Sequence, residues 1–265
     1  MEIIEKTPDN TPVYKTFEEL QNDLPFDFEK VLFSESLDWK QDFENVDILR
    51  KLNKFQEKEF PHFFIIAFPF VISSLNNLRS NLTKNGLILI QEVFSKHDFL
   101  FSNEELANAV TPILFEKVCC EKNFIRLEAK NALEELERKC GAQMVILEIL
   151  NKLLNDKNQN ICEKTSDSVY KIVNQYKMKL DEEKIIVLMK SCVIMISNGR
   201  AILKKNAEKI LDIFGKVISE ELLENYLVKQ FEKREGDLIR DNIEKRKSSK
   251  LRPKESIKDF LMKKN

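Results

Sequence analysis

The sequence predicts an all-α fold, an α-solenoid of about five to six helix pairs, and three observations carry that reading. First, a short polar turn holding a Lys or Arg opens a helix four times, at 78–87, 124–133, 161–166 and 202–207. A further turn, Asp38-Trp39-Lys40, lies one period upstream with the only tryptophan in the chain. Helix pairs that recur every 35–50 residues stack into solenoids in which corresponding turns align along one edge. Second, helix breakers are sparse: the chain has 5 Gly and 7 Pro in 265 residues, and no Pro between Ile113 and Arg252. Third, apolar residues recur at steps of three and four, the spacing of one buried helix stripe.

Residues 1–25 are polar and lack a sustained period, which predicts an N-terminal arm, extended or partly disordered. A first pair is expected over 26–34 and 40–53, where Phe43, Val46, Leu49, Leu52 and Phe55 form one stripe and Trp39 sits in the turn. The second pair covers 61–75 and 82–96. Gly86 inside it costs about 1 kcal/mol against Ala, so a neighbouring helix should approach closely there. The third pair covers 103–118 and 124–139, opened by Ser102-Asn103 with Glu104 and Glu105 in the first turn and closed by Gly141 as C-terminal cap. Pairs at 142–155 with 160–176 and at 181–197 with 201–217 follow, and a helix over 220–232 closes the stack. The helical domain thus spans 26–235, and the charge-dense residues 236–265 read as a solvated basic tail.

The repeats align with one another. A shift of 46 superposes Lys84-Asn85-Gly86-Leu87 on Lys130-Asn131-Ala132-Leu133, and a shift of 41 superposes Ile161, Ser166, Val169 and Ile172 on Ile202, Ala207, Ile210 and Ile213. Small residues in the buried seam of both registers give the pairs a HEAT-like character.

Charge is unevenly spread. Residues 240–265 hold ten Lys/Arg against four Asp/Glu, whereas the remainder holds 33 against 40. The five cysteines sit in helical patterns without CxxC spacing, as expected of buried thiols in a reducing compartment rather than of a zinc site or disulfide framework. Neither a signal-type leader nor an apolar run of about 18 residues is present, so no membrane partner is expected. Five scattered glycines cannot write GxxxxGK[ST] or GxGxxG, and GxSxG, HExxH and HRD are missing. His62 reads as a first-turn surface or capping residue, and His97 as an imidazolium favoured by a helix C-terminus. No enzyme activity, cofactor or metal is expected.

Function therefore points to the edge of turns. That edge would carry Trp39, Lys40, Arg79, Arg126, Lys157, Lys164, Arg200, Lys204 and Lys205. Cations at helix N-termini oppose the macrodipole at about 0.3–1 kcal/mol each, and their recurrence suggests a use. Trp39 has two readings, a plug for the end of the core or an exposed anchor of an interface, where Trp and Arg dominate.

Asp38-Trp39-Lys40, Leu49-Arg50-Lys51-Leu52, Asn77-Leu78-Arg79-Ser80, Phe124-Ile125-Arg126 with Ala129 and Ala132, and Lys204-Lys205-Asn206-Ala207 together resemble a TOG domain, in its CLASP and crescerin form. The resemblance spans about 26–232. It implies a six-repeat paddle whose turn edge binds αβ-tubulin or the microtubule lattice: Trp39, Lys40, Arg79 and Arg126 from the first three turns, Lys157 and Lys164 from the fourth, Arg200, Lys204 and Lys205 from the fifth. Cys162 departs from the family pattern, which often has Arg there. A non-catalytic role in microtubule or axoneme organisation follows, with other cytoskeletal or ciliary proteins as further partners and cytoplasm, cytoskeleton or cilium as location. The alternatives are a HEAT or armadillo scaffold without tubulin affinity, and nucleic-acid binding through the Lys-rich tail. The tail offers one aromatic, Phe260, for stacking, which argues against the latter.

Overall fold

A computed structural model describes residues 39–251 apart from 56, 59 and 141. The expected arm, the helix at 26–34 and the end of the tail lie outside the described residues. The fold is all-α, an α-solenoid of helix pairs: α1 Trp39–Phe55, α2 Phe60–Leu75, α3 Ser80–Lys96, the short α4 Phe99–Ser102, α5 Glu104–Val118, α6 Asn123–Lys139, α7 Met144–Leu153, α8 Gln159–Tyr176, α9 Glu182–Ser197, α10 Ala201–Val217, α11 Glu220–Gln230 and α12 Lys233–Leu251. The chain divides into two compact units, up to Ile149 and from Leu150 onward.

In the first unit α1, α3 and α6 lie side by side in one layer, and α2 and α5 form the other. The seam is apolar, with Leu49, Leu52, Phe64, Val71, Leu82, Ile90, Leu114 and Leu136 all buried. Gly86 permits the close approach that its cost implied: a Cβ there would lie 3.2 Å from Leu75 Cδ2. A polar staple joins α1 to α3. Arg50, only 6% exposed, donates from Nη2 to Glu92 Oε1 at 2.6 Å and from Nη1 to Asn85 Oδ1 at 3.1 Å. Asn85 in turn donates to Asp47 Oδ1 at 2.8 Å. Such a buried guanidinium is tolerable only because its donors are matched in geometry.

His97 departs from the expectation of an imidazolium. Its Nε2 lies 2.8 Å from Asn53 Oδ1 and its ring stacks on Phe60 with centroids 5.2 Å apart. Burial holds its pKa below the usual histidine value. The ring is a core group rather than a charge on the dipole. His62 is exposed in the first turn of α2, as read.

In the second unit α8, α10 and α12 form one layer, and α9 and α11 pack against it. Asn206 of α10 reaches back to Ser166 Oγ at 3.0 Å and Asp167 Oδ1 at 2.8 Å on α8, the same device as Asn85 on α1. Residues 233–251, read in part as solvated tail, are helical. They form α12, whose Ile239 and Ile243 are buried. Gly215 is the landing point, since a Cβ there would stand 2.9 Å from Ile243 Cγ2. Two apolar residues a helical turn apart make too narrow a stripe to stand out against the surrounding charge.

Helix positions also revise the repeat registers. Measured from the helix starts, α3 maps onto α6 by 43, not 46: buried Leu82, Gly86, Leu89, Ile90 and Val93 fall on buried Ile125, Ala129, Ala132, Leu133 and Leu136. Likewise α8 maps onto α10 by 42, not 41, so that Ile161 matches buried Leu203 rather than exposed Ile202. The shifts of 46 and 43 differ by about one turn, and a helix repeats its face every three to four residues, so sequence alone cannot separate those two registers. Gly141 lies outside the described residues, and the left-handed position near the end of α6 is held by Ala142 at φ 55°. Trp39 opens α1 instead of sitting in a turn before it.

Candidate functional site

The helices open in two chemically different ways. Helices α5, α9 and α11 have Asn103, Asp181 and Ser219 as N-caps, and each side chain accepts from a backbone N–H two or three residues into the helix. Helices α3, α6 and α10 start with Arg79, Lys122 and Arg200, none of which provides a side-chain cap. Their backbones are nevertheless extended, with φ, ψ of −78°, 104°, −73°, 112° and −78°, 136°, the conformation a capping residue adopts. A cation there gives up a cap and faces the positive end of the dipole, which costs about 0.5–2 kcal/mol for the cap alone and about 0.3–1 kcal/mol more for the field. Among the helices whose N-caps are described, this substitution falls on those whose N-termini form the turns within pairs. The fourth turn is the exception, because Asn158 caps α8 by accepting from Asn160 N–H.

Direct contacts join successive turns within each unit. The Arg79 guanidinium lies 5.9 Å from the Trp39 ring centroid, linking the first and second turns. Lys122 Nζ donates to Ser80 Oγ, linking the second and third. In the second unit Arg200 Nη1 donates to Gln159 O at 3.1 Å and pairs with Glu163 Oε1 at 2.7 Å, linking the fifth turn to the fourth.

The sequence-chosen residues fall into two groups. Trp39 is 36% exposed and does not plug the core; Lys40 beside it, Arg79, Lys157, Lys164, Lys204 and Lys205 are exposed as well. Arg126 and Arg200 are half-buried, and both are engaged in shaping turns. Arg126 donates from Nη1 to Cys120 O at 2.9 Å and Glu121 O at 2.8 Å, and from Nη2 to Asn123 Oδ1 at 3.2 Å. Its place is structural in part. Thr83, Arg126 and Cys162, each the fourth residue of its helix, all donate to the carbonyl six residues earlier: Thr83 to Asn77 at 2.9 Å, Cys162 to Asp156 at 3.2 Å. Cys162 thus does part of the work of an arginine while buried, and burial pushes its thiol pKa up.

Lys122 was missed in the sequence, although a shift of 43 places it on Arg79. Exposed apolar residues were missed too: Leu78 at 95% exposure, Phe124, Leu127 and Ile202 all lie at or beside the same helix starts. These helix starts are amphipathic as well as basic. All five cysteines are free thiols, and burial pushes Cys140 up to about 11. Among the described residues no group of three His, Cys, Asp or Glu could hold a metal ion, and no helix is long and apolar enough to cross a membrane.

A family model described as CLASP N terminal matches residues 31–197. The chain belongs to the CLASP N-terminal family. Curated proteins provide no sequence match. Among solved structures, this CLASP N-terminal chain is similar to a microtubule polymerase with a tumor overexpressed gene (TOG) domain array, reported for tubulin recruitment and assembly, at TM-score 0.56 and 12% identity. That likeness covers 82% of this chain and 45% of the other, so the chain spans less than half of the polymerase structure. It is also similar to the MAST/Orbit N-terminal domain, at TM-score 0.50 and 12% identity, over 83% of this chain and 96% of that one. At such identity the likenesses concern fold. The family match ends at Ser197, so the fifth turn with Arg200, Lys204 and Lys205 lies beyond it.

Proposed function

We propose that this CLASP-family chain is a non-catalytic tubulin- or microtubule-binding module that works through the turns within its helix pairs. The observation that carries the reading is the recurrence of basic N-caps, Arg79 and Lys122 in the first unit and Arg200 in the second, at helices whose backbones are set for a capping side chain. Stability alone would select Ser, Asp or Asn there. Retaining cations beside exposed Trp39 and Leu78 fits an acidic, partly apolar protein surface, with charge steering the encounter and the aromatic anchoring it. The fold likeness to a polymerase that recruits tubulin supports the same partner.

Of the residues chosen from the sequence, Trp39, Lys40, Arg79, Lys157, Lys164, Lys204 and Lys205 supply direct contacts in this reading, and Lys122 joins them. Arg126 and Arg200 hold the turns in shape and contribute charge. The module serves microtubule organisation in the cytoskeleton, including that of the ciliary axoneme.

Gel filtration and co-sedimentation of the chain with tubulin test this. Wild type should co-elute at low salt and dissociate as ionic strength rises, because the Debye length shrinks from about 10 Å at 0.1 M to about 3 Å at 1 M. Trp39→Ala and Lys204→Glu should each weaken binding at least tenfold with an unchanged melting temperature. Undiminished binding in both variants would move the function to a scaffold with a different surface. Localisation of the tagged chain in ciliated cells tests the axonemal role.

A further inference from the structure

The opposite ends of α8 and α10 carry a second feature, separate from the turn edge. A groove of about 450 Å³ runs between the C-terminal halves of the two helices. Ile213 and Val217 supply apolar lining, and Val217 is exposed. Lys177, Lys209 and Lys216 surround them, with Asp212 as the acidic group among the described residues, whose net charge is positive. Cations are electrostatically at ease near helix C-termini, and their presence alone signals nothing. Their arrangement around an uncovered apolar strip is what a solvated helix end does not require. Asp212 is matched by Lys216 Nζ at 2.7 Å, and Lys177 and Lys209 stand on the rim beside that pair. Lys209 Nζ is held 4.5 Å from the Tyr170 ring centroid and donates to Asn206 Oδ1 at 3.3 Å. One rim cation is therefore positioned in advance.

We propose that this groove is a second interaction surface that takes an acidic peptide segment of a partner protein, with one aromatic or aliphatic side chain of the segment laid over Ile213 and Val217 and its carboxylates on Lys177 and Lys209. Charge complementarity selects the acidic chain, and the apolar strip selects the large side chain between the acids. A nucleic acid fits less well: the Lys209 ammonium occupies the Tyr170 ring, and among the described residues of the lining there is no guanidinium to fork a phosphate. Helix α10 runs about 24 Å from Ala201 to Val217 at 1.5 Å per residue. One module could then hold tubulin at the helix starts and an acidic tether at the helix ends at once.

The test is fluorescence anisotropy of the full chain with a labelled peptide of glutamates around a single Phe, alongside the same peptide with Ser for Phe. Binding should be micromolar and salt-sensitive, at least tenfold weaker for the Ser peptide, and at least tenfold weaker in Lys177→Glu and in Val217→Ser. Both positions are exposed, and circular dichroism melts check that the variants remain folded. Lys204→Glu at the other end of α10 should leave peptide affinity within twofold. The proposal is overturned if the peptide does not bind, if the Phe and Ser peptides bind alike, if Lys204→Glu abolishes binding while the groove variants retain it, or if a single-stranded oligonucleotide displaces the peptide with higher affinity.

Discussion

Replacing Lys122 by Asn should make the protein more stable and a weaker partner. The backbone of residue 122 has φ −73° and ψ 112°, close to the −93° and 111° of Asn103, whose side chain accepts from Leu106 N–H. An Asn at 122 would enter the same geometry without backbone movement and satisfy an N–H at the start of α6. The cap contributes about 1 kcal/mol, and removing a cation from the positive end of the dipole adds about 0.3–1 kcal/mol. Against this stands the lost hydrogen bond from Lys122 to Ser80 Oγ, an exposed contact that contributes about 0.5–1 kcal/mol. The net gain is about 1 kcal/mol, which for a chain of this size raises the melting temperature by about 2–4 °C. Thermal unfolding followed by circular dichroism at 222 nm measures the shift, and the salt dependence of tubulin co-sedimentation should flatten in parallel. An unchanged or lower melting temperature would refute the argument that basic N-caps are kept at the expense of stability.

Three further outcomes follow from the packing. Arg50→Ala should cost about 3 kcal/mol, the low end for breaking a buried pair, because Glu92 is 35% exposed and can recover water; urea unfolding reads it. Gly215→Ala should loosen α12, since the new Cβ meets Ile243 Cγ2 at 2.9 Å, whereas Gly236→Ala, whose Cβ would meet Leu227 at 3.7 Å, should stabilise by up to about 1 kcal/mol. Hydrogen exchange across 233–251 separates the two. Because burial lowers the His97 pKa below 6.5, the unfolded chain binds the proton more readily; this contribution to stability is full above pH 6.5 and is lost as pH falls toward the folded-state pKa. His97→Gln should flatten that slope in melts between pH 7 and pH 5.

Much of the secondary structure was legible because its causes are local. Helix α10 spans Ala201–Val217, the limits read from the sequence, and α9 begins at Glu182 behind the Asp181 cap. Gly86 announced a close approach before the partner was known, and Leu75 proved to be that partner. The candidate set of basic helix starts was legible in outline, since a Lys or Arg at a helix start is visible to the eye. Its composition was not. Lys122 escaped because the register chosen for the third repeat was off by one helical turn, and Leu78 and Phe124 look like core residues until burial is measured.

By itself, the order of residues determined an all-α chain of paired helices, their approximate limits and the recurrence of cations at one class of turn, since propensity, capping and a 3.6-residue period act within a few positions of each other. Tertiary structure alone decided that Arg50 and His97 belong to the core, that Arg126 braces its own turn, and that charge-rich α12 buries Ile239 and Ile243, the latter against Gly215. Those outcomes depend on which distant side chain arrives at a given distance, and a sequence read locally holds no measure of that distance.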